Sequence, residues 1–88
     1  MVSSRFMRGA VLDRRTLGPV SGARICLKYK GLHLKSESGE RGQFEIMIPQ
    51  DCAEAILHIS KSGFYSRNIA KYAPNDKVQP ILITPIAL

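Results

Sequence analysis

Short runs in which apolar and polar residues alternate, separated by Gly, Pro, Asn and Asp, make up most of this chain. In a pleated strand successive side chains point to opposite faces, so each such run predicts a strand with one dry and one wet side. The clearest is 23–29, where Ala23, Ile25, Leu27 and Tyr29 alternate with Arg24, Cys26, Lys28 and then Lys30. A tight turn at Lys30-Gly31 leads into 32–37, with Leu32 and Leu34 alternating with His33 and Lys35, which predicts a hairpin. Phe44, Ile46 and Ile48 share one side of 43–48, which Pro49 ends, and Ala55, Leu57 and Ile59 share one side of 55–60. Residues 5–13 and 64–70 complete the well-patterned set.

The connections carry turn chemistry: Gly18-Pro19 in 14–22, Gly39 and Gly42 in 37–42, Lys61-Ser62-Gly63, and Pro74-Asn75-Asp76 within a loop expected over 71–77. The tail from 78 to 88 is apolar but broken by Pro80 and Pro85; proline offers no backbone donor, so this last strand should be short or lie at an edge. A helix over 52–58 is the one local alternative, and the alternation after Glu54 opposes it. Short strands at this spacing predict an all-β fold, a Greek-key β-sandwich of about seven strands, with Phe44 and Leu57 in its core.

Eighty-eight residues allow one domain, 1–88, with a single core. The 44% hydrophobic and 23% charged residues are those of a globule, without the apolar run of a transmembrane segment. Arg5, Arg8 and Gly9 interrupt the N-terminus, so no signal peptide is expected. Location stays open: secreted or cell-envelope if these residues were excised from a larger protein, cytoplasmic otherwise.

Thirteen Lys and Arg against seven Asp and Glu give a net charge of +6, which favours acidic surfaces or polyanions. On alternate positions Arg24, Lys28 and Lys30 share a face of one strand, and His33 and Lys35 share a face of the next. If those strands pair, the five form a candidate basic binding face, which His58 joins if its strand is the neighbour. The bland reading is a solvated face that resists aggregation. Cys26 lies on the basic parity, where cations favour a reactive thiolate; an inert, half-covered thiol is the plainer alternative.

Cys26 and Cys52 lack C-x-x-C spacing, and a bridge between them is not expected. A four-ligand zinc site would have to recruit both cysteines and both His33 and His58, so no metal and no cofactor is expected. The eight serines form no nucleophile elbow or evident triad. Nucleic-acid binding is disfavoured because most aromatics fall on the apolar parity, Tyr65 and Tyr72 being the exceptions. Carbohydrate binding remains possible, although the chain has no Trp platform.

Taken in order, Met7-x-Gly9-x-Val11-x-Asp13, Gly18-Pro19-Val20-x-Gly22-Ala23-x-Ile25-x-Leu27, Gly42-x-Phe44-x-Ile46 and Leu57-x-Ile59-Ser60-Lys61-Ser62-Gly63-Phe64 resemble carboxypeptidase regulatory-like domains, which have a transthyretin-like (prealbumin-like) β-sandwich fold. The resemblance covers residues 7 to 70. It implies a non-catalytic accessory module, packing beside a larger enzyme or receptor or acting as an adaptor for secreted or envelope proteins, with a protein partner; the +6 charge is compatible with an acidic one but does not by itself choose among acidic surfaces, polyanions and solubility. Where that family often places an Asp three residues before its strand-starting glycine, this chain has Gly39. The alternative function is a carbohydrate- or polyanion-binding sandwich.

A further alternative is an enzyme on the same fold. Val11-Leu12-Asp13 with Gly18-Pro19 is similar to the N-terminal motif of hydroxyisourate hydrolases, but the motif histidine is replaced by Ala10, and that family's C-terminal signature by Thr84-Pro85-Ile86-Ala87-Leu88. Without the imidazole, no group at that position takes a proton near neutral pH. The expectation is therefore no catalytic residue and no enzyme activity.

Overall fold

The computed structural model describes residues 4–74 and 77–86. It contains seven strands: β1 (Ser4–Asp13), β2 (Arg24–Tyr29), β3 (Leu32–Glu37), β4 (Gln43–Pro49), β5 (Ala55–Ser60), β6 (Arg67–Tyr72) and β7 (Gln79–Ile83). They form two sheets, one of three strands in the order β4-β1-β7 and one of four in the order β3-β2-β5-β6. The fold is the all-β sandwich that the alternation predicts. Hairpins join β2 to β3 and β5 to β6, whereas the other four connections cross between the sheets.

The apolar parity of each strand faces the opposing sheet. Met7 and Val11 from β1, Phe44, Ile46 and Ile48 from β4, and Ile81 and Ile83 from β7 meet Ile25 and Leu27 from β2, Ala55, Leu57 and Ile59 from β5, and Tyr72. Phe44 and Leu57 are both in this core. Burying such side chains contributes roughly 1.5–3 kcal/mol each relative to leaving them in water.

Two close approaches explain glycines, one within a strand and one in the turn before β4. Gly9 lies opposite Phe44 across the β1–β4 ladder, and a Cβ there would sit 2.6 Å from Phe44 Cζ. The ring uses the vacant side-chain space of Gly9. At Gly42 the backbone has φ of 75°, and a Cβ would lie 2.5 Å from the Val11 carbonyl oxygen, which accepts from Val20 N. The turn before β4 needs no carboxylate cap: Gly39 N donates to Gln43 O at 2.9 Å, and Gly42 N to Gly39 O at 2.8 Å. Beside it Ser38, only 4% exposed, donates to Val20 O at 2.7 Å and accepts from Ala23 N at 2.8 Å, so one hydroxyl ties the 14–22 loop to the end of β3.

Three expectations are corrected. The sixth strand begins at Arg67 instead of residue 64, because Phe64 and Tyr65 are engaged elsewhere: Phe64 N closes a turn onto Lys61 O and Tyr65 N donates to Thr84 O. That strand continues through Lys71 and Tyr72, which the sequence reading placed in a loop. An irregularity in the β5–β6 register, where Ala55 faces Tyr72 but Leu57 faces Ile69, inserts one residue into β6 and turns Tyr72 inward, 7% exposed, against the expectation of an exposed aromatic. Tyr65 is exposed as expected. The last strand is short and forms an edge, as its prolines require, but it pairs with β1 in parallel. Asn75 and Asp76 of the expected loop, and Ala87 and Leu88 of the tail, lie outside the described residues.

Candidate functional site

Because inner and outer residues alternate, the core rows have a mirror set outside. Leu34, Leu27, Leu57 and Ile69 lie directly opposite one another across β3, β2, β5 and β6, and form an inward row through the four-stranded sheet. One residue along, Lys35, Cys26, His58 and Asn68 form the corresponding outward row. On either side run Glu37, Arg24 and Ser60, and then His33, Lys28 and Ile56. Directly opposed side chains in such ladders have Cβ atoms about 4.5–5.5 Å apart, so these rows form one continuous surface.

Arg24, Lys28, His33 and Lys35 are all exposed on this face, with Glu37 as the carboxylate among them. None of the four has an ion-pair partner within 4.0 Å among the described residues. Lys30 does not join them. It occupies the hairpin turn with φ of 45°, and together with Gly31 at φ of 80° makes the left-handed pair that a two-residue hairpin needs. The strand parity that placed it on the face ends at Tyr29. Its ammonium instead lies 5.3 Å from the Tyr29 ring centroid and 3.9 Å from Asp51 Oδ2. A hydrogen bond to Tyr29, then the charges of Tyr29 and Asp51, raise its pKa above the ordinary lysine value.

An open depression of about 510 Å³ sits in this face, lined by Arg24, Cys26, Lys35, Glu37, His58 and Ser60 among others. Cys26 is half-buried within it. His58 Nδ1 lies 2.6 Å from Asn68 Oδ1. The carbonyl oxygen can only accept, so the neutral tautomer that makes this hydrogen bond is the one with its proton on Nδ1 and its open acceptor at Nε2. Asn68, Ser60 and Ile56 were not foreseen as parts of this face, and His58 only conditionally. Nothing in local alternation says which strand lies beside β2, and no sequence signal distinguished Asn68.

The second cysteine has different surroundings. Cys52 is fully buried in the loop after β4, and burial pushes its thiol pKa up, partly opposed by Arg5. The Arg5 guanidinium donates to Cys52 O at 2.6 Å and pins that loop to β1. Both thiols are free.

The opposite outer face, on the three-stranded sheet, is chemically plainer. Phe6 and Met47 lie opposite each other, 40% and 56% exposed, beside an Arg8–Glu45 ion pair of 2.7 Å. Ala10, at the position where the hydrolase motif has histidine, stands between Gln43 and Pro80, whereas His33 and His58 belong to the other sheet.

No family model and no curated protein matches the chain. Among solved structures, it is similar to a chain in a C-terminal interface mutant of the type II cohesin–X–dockerin complex from Acetivibrio cellulolyticus, with TM-score 0.60 and 22% identity. The match covers 89% of this chain and 56% of the other, so this chain spans little more than half the length of that protein. At such identity the shared property is the β-sandwich fold.

Proposed function

We propose that the chain is a non-catalytic protein-interaction module of the carboxypeptidase regulatory-like, transthyretin-like kind, which docks an acidic protein surface on the outer face of its four-stranded sheet. The observation that carries this reading is the exposed set Arg24, Lys28, His33 and Lys35 on adjacent strands β2 and β3, without ion-pair partners among the described residues. Close like charges on a sheet face repel, and an acidic partner relieves that cost. The structural neighbour supports the reading at the level of class, since its complex is an assembly of proteins. Ala10 in place of the hydrolase histidine, with both imidazoles on the other sheet, supports a role without catalysis. A place beside a larger secreted or envelope-associated protein follows from the family resemblance.

The test is capture of partners from the native source at low and high salt, comparing the wild type with the double reversal Lys28→Glu, Lys35→Glu. Exposed charges are screened within about 10 Å at 0.1 M salt, so capture through this face should weaken as salt rises and disappear in the double variant. A partner held equally by both proteins at both salts refutes the assignment. If a sulfated polysaccharide binds with the same dependence and no protein is captured, the face belongs to the polyanion alternative.

A further inference from the structure

We propose that Cys26 is a site of thiol–disulfide exchange with anionic low-molecular-weight disulfides, with His58 as the proton acceptor that Asn68 holds in place. Three independent features meet at this thiol. It is the part-exposed cysteine of the two and lines a concave depression, whereas Cys52 is fully buried. It lies directly opposite His58 on β5 and Lys35 on β3. The 2.6 Å contact between His58 Nδ1 and Asn68 Oδ1 favours the neutral tautomer whose free acceptor is Nε2. A nucleophile, a base and a residue that orients the base thus occupy three successive strands, with an ammonium on the far side.

Thiolates, not thiols, attack disulfides, and neighbouring cations favour the thiolate. In the exchange, the Cys26 proton passes to His58 Nε2 as Sγ attacks one sulfur of the incoming disulfide. A new sulfur–sulfur bond forms to Sγ and the original one breaks. The departing sulfur takes the electron pair and recovers the proton from the imidazolium. Cys26 is oxidised and the departing thiol is reduced, so no further oxidant is needed.

The charge around the thiol selects the reagent. The groups that face it are Arg24 and Lys28 on its own strand, Lys35, His33 and Glu37 on β3, and His58 on β5. Cations outnumber the single carboxylate, so the depression concentrates anionic disulfides such as oxidised glutathione and repels cationic ones. The chemistry does not depend on whether the same face also docks a protein.

Oxidised glutathione and, in parallel, the cationic disulfide cystamine are incubated with the native protein, and adducts are followed by intact mass and peptide mapping. One adduct should form, at Cys26, with Cys52 unmodified, and Cys26→Ser should abolish it. Relative to the urea-unfolded chain, the folded protein should react about tenfold faster with oxidised glutathione and show no such gain with cystamine. His58→Gln should remove about tenfold, within the range a positioned base contributes, and Lys35→Glu, which leaves Arg24 and Lys28 against two carboxylates, should abolish the preference for oxidised glutathione. Both variants change outward-facing positions, and circular dichroism checks that they fold. A Cys26 rate equal to that of the unfolded chain overturns the proposal, as does a rate that His58→Gln leaves unchanged or an equal gain with both disulfides.

Discussion

Substituting Gly9 by Ala should change sign with the residue at position 44. In the native protein the new methyl would lie 2.6 Å from Cζ and 2.7 Å from Cε1 of Phe44, and 3.3 Å from Gln79 O. The ring is 5% exposed and cannot swing into water without leaving the core. Overpacking of this kind costs about 1–3 kcal/mol. Phe44→Leu removes the two clashing atoms and, at about 0.8 kcal/mol per buried carbon, costs roughly 2 kcal/mol by itself. In that background only the 3.3 Å approach to Gln79 O remains, and Gly9→Ala should recover part of the roughly 0.5–1 kcal/mol that a strand glycine loses in chain entropy. The double variant should therefore be no less stable than Phe44→Leu alone, with a coupling of about 2 kcal/mol between the sites. Urea denaturation of the four proteins, followed by far-ultraviolet circular dichroism, measures the cycle. Additivity within about 0.5 kcal/mol, the level found for independent sites, would show that the ring does not rest on Gly9.

Ser38→Ala removes both hydrogen bonds of a buried hydroxyl, from Ala23 N and to Val20 O; at roughly 1–3 kcal/mol for an unsatisfied buried partner, chemical denaturation should show a clear loss, and one under about 0.5 kcal/mol means water replaces the hydroxyl. Stability should fall at alkaline pH. Burial raises the folded-state pKa of Cys52 and of Tyr72, so their contributions are complete below the unfolded values, near 8.5 and 10, and are lost as pH rises through the higher folded ones. Melting curves from pH 7 to 11 should be flatter for Cys52→Ala, Tyr72→Phe than for wild type, and identical slopes would exclude these groups as the cause. Purified protein should not accelerate 5-hydroxyisourate hydrolysis, since Ala10 holds the motif position; turnover above the spontaneous rate, abolished by a substitution within the sandwich, would reverse that conclusion.

Alternation in 23–29, 43–48 and 55–60 was sufficient, with no knowledge of partners, to place β2, β4 and β5 and their inward residues, because the two-residue period is a property of the local backbone. Turn chemistry was equally local: Pro49 ends β4 and Pro80 confines β7 to an edge. Alternation tells a side chain which face it takes, but not which strand lies beside it. The parallel pairing of β7 with β1, and the placement of β5 beside β2, join residues far apart in the chain and are settled only when the two sheets close on one core. The row Lys35, Cys26, His58 and Asn68 exists for that reason alone. Two local rules also gave way to tertiary structure. The left-handed turn took Lys30 off its strand face, and the extra residue in β6 turned Tyr72 into the core, since burying a large aromatic outweighs one irregular ladder position.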